Sequence, residues 1–474
     1  MNSTNGTLSI PTVCSALDIK KTVIGLIESG KVEQALEFFE NHDDDAKKAW
    51  KEYDPKSHVI MDRPDKIRKG KTDYKTNRLP RNWQQYINEI ELYFLMNNGI
   101  KWELLNDTDE QEQLKDAFFK FQKLLKDLHY NTYTRESKRL AGAETACAKL
   151  YAYYKDEGVA KLRLQVLSLS KGYKLRPLFN RYGDMKAFAV GFFDKTVEGI
   201  TRECWDIYTS EHEYHCYRPI GEVSDSGAWT IERYDNHFGK IPIIYIRQPK
   251  AWAGVEERIE RDEWLDSKAA DTNEVFADPI IKISKNIKKG LADPRSTGKV
   301  VQVTNKDDVF EYLTPPESSD MKESEKKILK ESILMGTLTP DFSYENVKGL
   351  GAISGEAITK ANLIGYVKRL SRMEIYDEYF AREASLIKAI MATCLYPESR
   401  NEIRAMELNH IYQDPAIGIG DNSEEIQRWA EIGMSDEAIV EANRNVNNKS
   451  LELARLREKR ESQESIQQPT QQED

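Results

Sequence analysis

The chain has 474 residues, a net charge of −10 and 31% charged side chains, with a mean hydropathy of −0.66. No stretch approaches the roughly 18–20 apolar residues that a membrane-spanning helix needs. The acidic balance also excludes a surface that grips DNA everywhere through clustered Lys and Arg. Such a length suits about two to four domains, or one elongated subunit of a larger assembly.

The first residues, MNSTNGTLSI, lack a basic region followed by an apolar core. They predict no signal peptide and a protein made and used in a cytoplasm-like compartment. Cys14, Cys147, Cys204, Cys216 and Cys394 are scattered, with no CxxC pair. That spacing predicts small buried or half-buried thiols, not a zinc ribbon or a disulfide framework.

In chain order, residues 1–59 read as a polar helical segment. Leu17–Ser29 and Val32–Asn41 are helical, and Asp43, Asp44 and Asp45 interrupt the pattern. A basic loop follows with Arg63, Lys66, Arg68, Lys69, Lys71 and Lys75; it is either a solvated loop or a contact for DNA or an acidic partner. Within Asn77–Ile100, Tyr86, Ile90, Tyr93 and Phe94 recur at helical spacing, and Asn97-Asn98-Gly99 supplies a stop. Two more helices are expected at Glu110–Leu128 and Thr134–Tyr154. From Ala160 to Arg247 the period changes, and Leu162–Val166, Phe188–Phe192, Trp205–Tyr208, Thr230–Arg233 and Ile241–Ile246 predict a meandering antiparallel sheet with glycines in its turns.

Helix resumes over Val255–Ala277, with a stripe of Leu265, Ala269, Thr272 and Phe276, and Asp278-Pro279 stops it. A short β-rich insert then offers Ile280–Ile283, Lys299–Val303 and Phe310–Leu313, before a second polar helix over Ser318–Met335. Asp320 and Glu323 form a capping-box pattern at that helix's start, and Gly336 follows its end. The loop Gly336–Ala357 is long for a compact chain, and loops of that kind are usually functional. Beyond it, Gly355–Leu395 keeps a helical pattern of about 40 residues, or ~60 Å, with Gly365 a candidate kink. A strand is expected at Glu402–Leu408, then helices at Ser423–Ile432 and Asp436–Asn445 meeting at Gly433-Met434-Ser435. A charged helix over Leu451–Ser462 leads to a Gln-rich tail, residues 463–474, that reads as disordered.

Little in the chain points to catalysis. EHEYHC holds His212, His215 and Cys216, but positions 212 and 215 of a strand point to opposite faces, so they predict no metal site. No GxxxxGK[ST], GxSxG, HExxH or Rossmann glycine pattern occurs. No catalytic residue and no cofactor are expected, and any ATP-hydrolysing motor is another protein. The β-rich insert is locally basic, with Lys285, Lys288, Lys289, Arg295 and Lys299. It is either a tip that meets phosphates or an acidic partner, or a solvated hairpin whose lysines discourage edge pairing. The long loop carries Tyr344, Asn346 and Lys348, where a cation can touch phosphates weakly and release them.

Four segments together resemble the portal (head-to-tail connector) proteins of tailed bacteriophages. NRLPRNWQQYINEIELYFLMNNGI is similar to that family's early helix and turn, and HFGKIPIIYI to its Pro-containing strand. VEERIERDEWLDSKAADTNEVFADPII looks like the first stem helix, with Ser267, Asp271 and the Phe276–Pro279 ending in place, and LGAISGEAI like the start of the long wing helix. Asn98-Gly99 stands where Asn-Pro is common in the family, and Trp252–Val255 lacks its usual Ser-Asp.

The resemblance implies an α+β, mainly helical subunit that assembles into a ring, generally a dodecamer. Its parts would be a wing (60–248 and 354–416), stem helices (249–277 and 318–335), a clip (278–317), a tunnel loop (336–353) and a helical crown (417–462). It further implies a DNA channel at one capsid vertex of the virion, assembled in the host bacterial cytoplasm. Double-stranded DNA, terminase, the major capsid protein and a head-completion protein would be its partners, with no membrane. The polar stem faces would then meet neighbours and a wet channel. The alternatives are a non-viral helical adaptor or scaffold, and an enzyme such as a nuclease among the carboxylates.

Overall fold

Local signals and buried pairings together decide the elements of the computed structural model, which describes residues 14–65, 75–106, 112–197, 199–220, 228–277, 281–283, 310–312, 319–343, 362–413, 423–435, 438–440, 452 and 455–456. The chain divides into two units, residues 1–339 with 365–413, and residues 340–364 with 414–474. Helices and antiparallel sheets combine as the α+β class expected from the sequence.

The first unit opens with α1 (Cys14–Glu28), α2 (Val32–Leu36) and α3 (Asp43–Tyr53). The aspartate triplet does not interrupt a helix, as its polarity suggests; it forms the first turn of α3, where negative charge meets the positive end of the helix dipole. Asp43 is also tied to Arg176 at 2.7 Å. α4 (Trp83–Met96) ends before Gly99, whose φ of +79° turns the chain into β1 (Ile100–Leu104). α5 (Glu112–Asp127) and α6 (Tyr130–Glu144) follow.

The helix expected over Thr134–Tyr154 is corrected at this point. It stops at Glu144, Thr145 takes a left-handed φ of +66°, and Ala146–Asp156 is a strand, β2. Ala146 to Tyr151 are all buried, so this stretch shows no alternation from which a strand could be read. β2 pairs on one side with β3 (Val159–Leu167) and on the other with β9 (Ile243–Arg247). Between them in sequence lies a meander, β4 (Lys174–Phe179), β5 (Met185–Lys195), β6 (Thr201–Thr209), β7 (His212–Pro219) and β8 (Thr230–Asp235), in the order β4-β5-β6-β7-β8. Of the five expected strands, Phe188–Phe192, Trp205–Tyr208 and Thr230–Arg233 fall in it as β5, β6 and β8, whereas Leu162–Val166 and Ile241–Ile246 are β3 and β9 of the other sheet.

The two sheets face each other across a core that includes Ala148, Leu150, Phe188, Val190, Tyr208, Ile243 and Tyr245. The outer face of the larger sheet packs Ala187, Trp205, Ile207 and Tyr214 against Val23, Ile27 and Val32 of α1 and α2. The other face of the β3-β2-β9 sheet joins the helical core through Cys147, Tyr151, Ile244 and Ile246. Cys147, Cys204 and Cys216 are buried free thiols and Cys394 is half-buried.

α7 (Glu256–Ala277) and α8 (Ser319–Gly336) lie close to their expected bounds. Between them in sequence, β10 (Ile281–Ile283) pairs antiparallel with β11 (Phe310–Tyr312), with Ile281 opposite Tyr312. The expected strand Lys299–Val303 lies outside the described residues. α9 (Leu363–Ile390) has 28 residues, or ~42 Å, and closes with a π turn, Met391–Leu395, ahead of Pro397. The strand expected at Glu402–Leu408 is displaced: α10 (Arg400–Ala405) comes first, and β12 (Leu408–Tyr412) pairs with β1. The β1 partner lies far away in the chain, so the local pattern gives no register.

In the second unit, α11 (Ser423–Glu431) ends where Gly433 takes a φ of +80°, with Gly433 N–H donating to Ala430 and Met434 N–H to Trp429. Helical residues 438–440 follow, and the Ser435 hydroxyl accepts the Ala438 N–H. This is the turn between two helices that Gly433-Met434-Ser435 predicts. Of Leu451–Ser462, residues 452, 455 and 456 are described and helical; the tail lies outside.

Gly365 serves as a close contact between helices. A Cβ there would stand 2.5 Å from the ring of Phe94 on α4, which is itself buried. Gly365→Ala would gain about 1 kcal/mol of helix propensity but incur about 1–3 kcal/mol of overpacking. We expect a net destabilisation of about 1 kcal/mol, read as a lower denaturant midpoint at unchanged slope.

Candidate functional site

The polar stripe of α7 recurs at helical spacing: Asp262, Asp266, and Glu263, Ser267, Asp271 and Glu274. Two stretches of the same chain, residues 58–63 and 77–83, run along it. His58 Nδ1 lies 2.6 Å from Glu263 Oε1, which also accepts the Arg81 N–H at 2.8 Å. Trp83 Nε1 donates to Asp262 at 2.8 Å, and the Leu79 N–H to Ser267 Oγ at 3.0 Å. Asp271 accepts from Arg63 and from the Asn77 N–H. Asp266 is paired by Arg81 and by Lys326 of α8.

Burial alone would raise the Asp271 carboxyl, but Asn77 and Arg63 hold it below its ordinary value. Asp262 shows the opposite balance, its burial outweighing Trp83 and Arg81 and pushing it up.

These contacts correct two expectations. Arg63 belongs to the basic loop by sequence, yet it is spent inside the subunit on Asp271. The α7 face with Asp262, Glu263, Ser267 and Asp271 is buried by its own chain, so it meets neither a neighbour nor a channel. The face left exposed carries Glu257, Arg258, Glu260, Arg261 and Trp264. Trp264 stacks between Arg261, 4.7 Å from its ring centre, and Lys268, at 5.1 Å. The sequence signal for this anchoring was the run of carboxylates itself; its partner segment could not be read from it.

A second polar centre holds α9 in place. Glu91 of α4 is 2.6 Å from Lys138 of α6 and 3.1 Å from both Lys368 and Arg372 of α9. About three turns further along α9, Glu383 accepts from Tyr130 at 2.7 Å and from Tyr151, and pairs with Lys149. Burial would push Glu91 up, yet Lys138, Lys368 and Arg372 hold it well below the usual carboxylate range. Burial pushes the Tyr130 and Tyr151 hydroxyls far up, with Glu383 adding to it.

The expected contact residues are not among those described. Tyr344, Asn346 and Lys348 of the long loop, and Lys285, Lys288, Lys289, Arg295 and Lys299 of the insert, all lie outside the described residues. In EHEYHC, His212 pairs with Asp235 at 3.1 Å and His215 with Asp206 at 2.8 Å, while Cys216 sits in the core. The bond to Asp206 raises His215 above its ordinary value despite its burial. Among the described residues no group of three His, Cys, Asp or Glu side chains could hold a metal ion. Among them, too, no helix is long and apolar enough to cross a membrane.

Burial pulls the Lys368 ammonium down to about 8, against the pull of Glu91. The unfolded chain titrates that lysine near about 10.4, so between these values the unfolded state binds more protons and stability rises with pH. Comparing wild type with Lys368→Met at about pH 7.5 and about pH 9, we expect wild type to gain about 1 kcal/mol relative to the variant. Urea unfolding at the two values checks it.

Comparison with known proteins follows from this geometry. The family model described as "Phage portal protein, SPP1 Gp6-like" matches residues 37–465. No curated protein matches the chain. Among solved structures, it is similar to a chain of the "Virion of native gene transfer agent (GTA) particle", at 12% identity and a TM-score of 0.35, over 75% of this chain and 86% of that one. With the family match spanning nearly its whole length, this chain belongs to the SPP1 Gp6-like family of phage portal proteins.

Proposed function

We propose that this chain is one wedge of a ring, a dodecamer in the assembled phage, through which double-stranded DNA enters and leaves the capsid at one vertex. The observation that carries the reading is the portal-family match over residues 37–465. In this reading α7 and α8 are the stem and residues 278–317 the clip. Residues 336–353 are the tunnel loop, residues 60–248 with 354–416 the wing, and residues 417–462 the crown.

Several features support it. α7 and α8 are joined by the ion pairs Arg261–Glu325 and Asp266–Lys326. The pairing of β10 with β11 returns the chain from one helix to the other. The net charge of −10 per subunit repels a duplex from the wall and keeps it sliding. Lys348, with Tyr344 and Asn346, would make weak transient contacts with phosphates. The basic clip residues Lys285, Lys288, Lys289, Arg295 and Lys299 would meet DNA or an acidic partner, with terminase docking there during packaging and a head-completion protein afterwards. The major capsid protein would surround the ring in the virion. The subunit itself does no chemistry in this scheme; the terminase supplies the motor.

Electron microscopy and mass measurement of the purified protein should give closed rings with a central hole; a solitary subunit at all concentrations would refute the reading. Lys348→Ala should leave those rings intact while reducing packaged genome length or retention. Unchanged packaging yield and genome length would remove that residue from the DNA path.

A further inference from the structure

A cavity of 210 Å³ opens between α3, the start of α4 and α7, far more than the ~10–15 Å³ that a single water needs. Two buried side chains that line it keep a polar atom unused. His58, 5% exposed, lies with Nδ1 2.6 Å from Glu263 Oε1, which accepts the Arg81 N–H as well. Its Nε2 has no partner among the described residues. Gln84, 6% exposed, likewise leaves its Oε1 without a partner among them. A carboxylate only accepts, so Nδ1 is the donor to Glu263 and Nε2 carries a bare lone pair. The floor of the cavity is therefore two acceptors that lack a donor, where buried polar atoms almost always have one.

The walls add charge. Glu256, Glu260 and Glu263 recur at i, i+4 and i+7 along α7 and so share one face, and Glu52 joins them from α3. Lys250 pairs with both Glu52 and Glu256, while Glu260 has no ion pair among the described residues. Lys48 and Lys51 stand exposed at the mouth. Four carboxylates thus face three ammonium groups, and one negative charge is left over.

We propose that this cavity is a binding site for a free small organic monocation with N–H donors, an alkylammonium or a guanidinium. Its N–H groups donate to His58 Nε2 and Gln84 Oε1, and its charge is matched by the α7 carboxylates. Its stem packs on Val59 and on Trp252, whose own N–H is spent on Glu52 at 2.8 Å. Other occupants fit less well. Water donates but brings no charge. Hard cations such as Mg²⁺ and Ca²⁺ take several oxygen ligands and not an imidazole nitrogen. A softer metal finds no set of three His, Cys, Asp or Glu side chains among the described residues. Lys48 and Lys51 at the mouth discourage a basic polypeptide, which favours a free molecule over a side chain from another chain. The site lies within one subunit and does not depend on ring formation.

Saturation-transfer NMR on the full chain tests it, with propylammonium and methylguanidinium as probes. Both should receive signal from the protein and displace each other. Tetramethylammonium, a cation without N–H groups, and neutral 1-propanol should bind at least about 10-fold more weakly. Gln84→Leu, which removes one acceptor at similar volume, should weaken both probes by about 10-fold. Glu260→Gln, on an exposed side chain, should weaken them by about 3-fold. Should Gln84→Leu fail to fold, Glu260→Gln and the tetramethylammonium comparison decide the matter. No transfer to either probe, tetramethylammonium binding as tightly as they do, or affinities unchanged in the folded variants would overturn the proposal and leave the cavity to water.

Discussion

Burying one carboxylate among three cations is the constraint on which the larger unit depends. Glu91, Lys138, Lys368 and Arg372 come from three helices, and each is expensive to desolvate alone. Only one placement of α9 against α4 and α6 lets them meet, so the cluster acts as a position lock more than as a source of net stability. Gly365 reinforces it sterically by allowing α9 to approach Phe94. Glu383, with Lys149 and two tyrosines, repeats the device further along the same helix and couples it to β2.

The same economy governs α7. A helix rich in carboxylates would normally be read as solvated, and in a portal subunit as a channel wall. Here one of its faces is consumed by His58, Arg63, Asn77, Arg81 and Trp83. The anchored face lets the opposite face, with Trp264 between two cations, be presented in a fixed orientation. Membership of the portal family agrees with a helix built to hold its place within a subunit while offering a defined outer surface.

The β3-β2-β9 sheet presents a different balance. It is covered on both faces, by the larger sheet and by the helices, yet its β9 edge is left open next to a trough. Edges are normally blunted by charge, proline or cover. Pro242, Lys240 and the Tyr379 hydroxyl deal with the ends of this one.

What could be read from the chain alone were features written in local periodicity and punctuation. These include the bounds of α7 and α8, the strands β3, β5, β6, β8 and β9 though not their division between two sheets, the β10 and β11 segments, the turn at Gly433, and the motif order that marks the portal family. Ala146–Tyr151 escaped such reading because a strand buried on both faces loses its alternation. The aspartate triplet at α3 misled because its polarity looks like a loop until Arg176 and the helix dipole are counted. β12 was misplaced, and β1 missed, because each is defined by the other across most of the chain. The partners of Glu91, of the α7 carboxylates and of Arg63 were decided only by the tertiary structure. Periodicity is local, whereas the choice of a partner for a buried charge is a balance of desolvation and attraction between groups that only folding brings together.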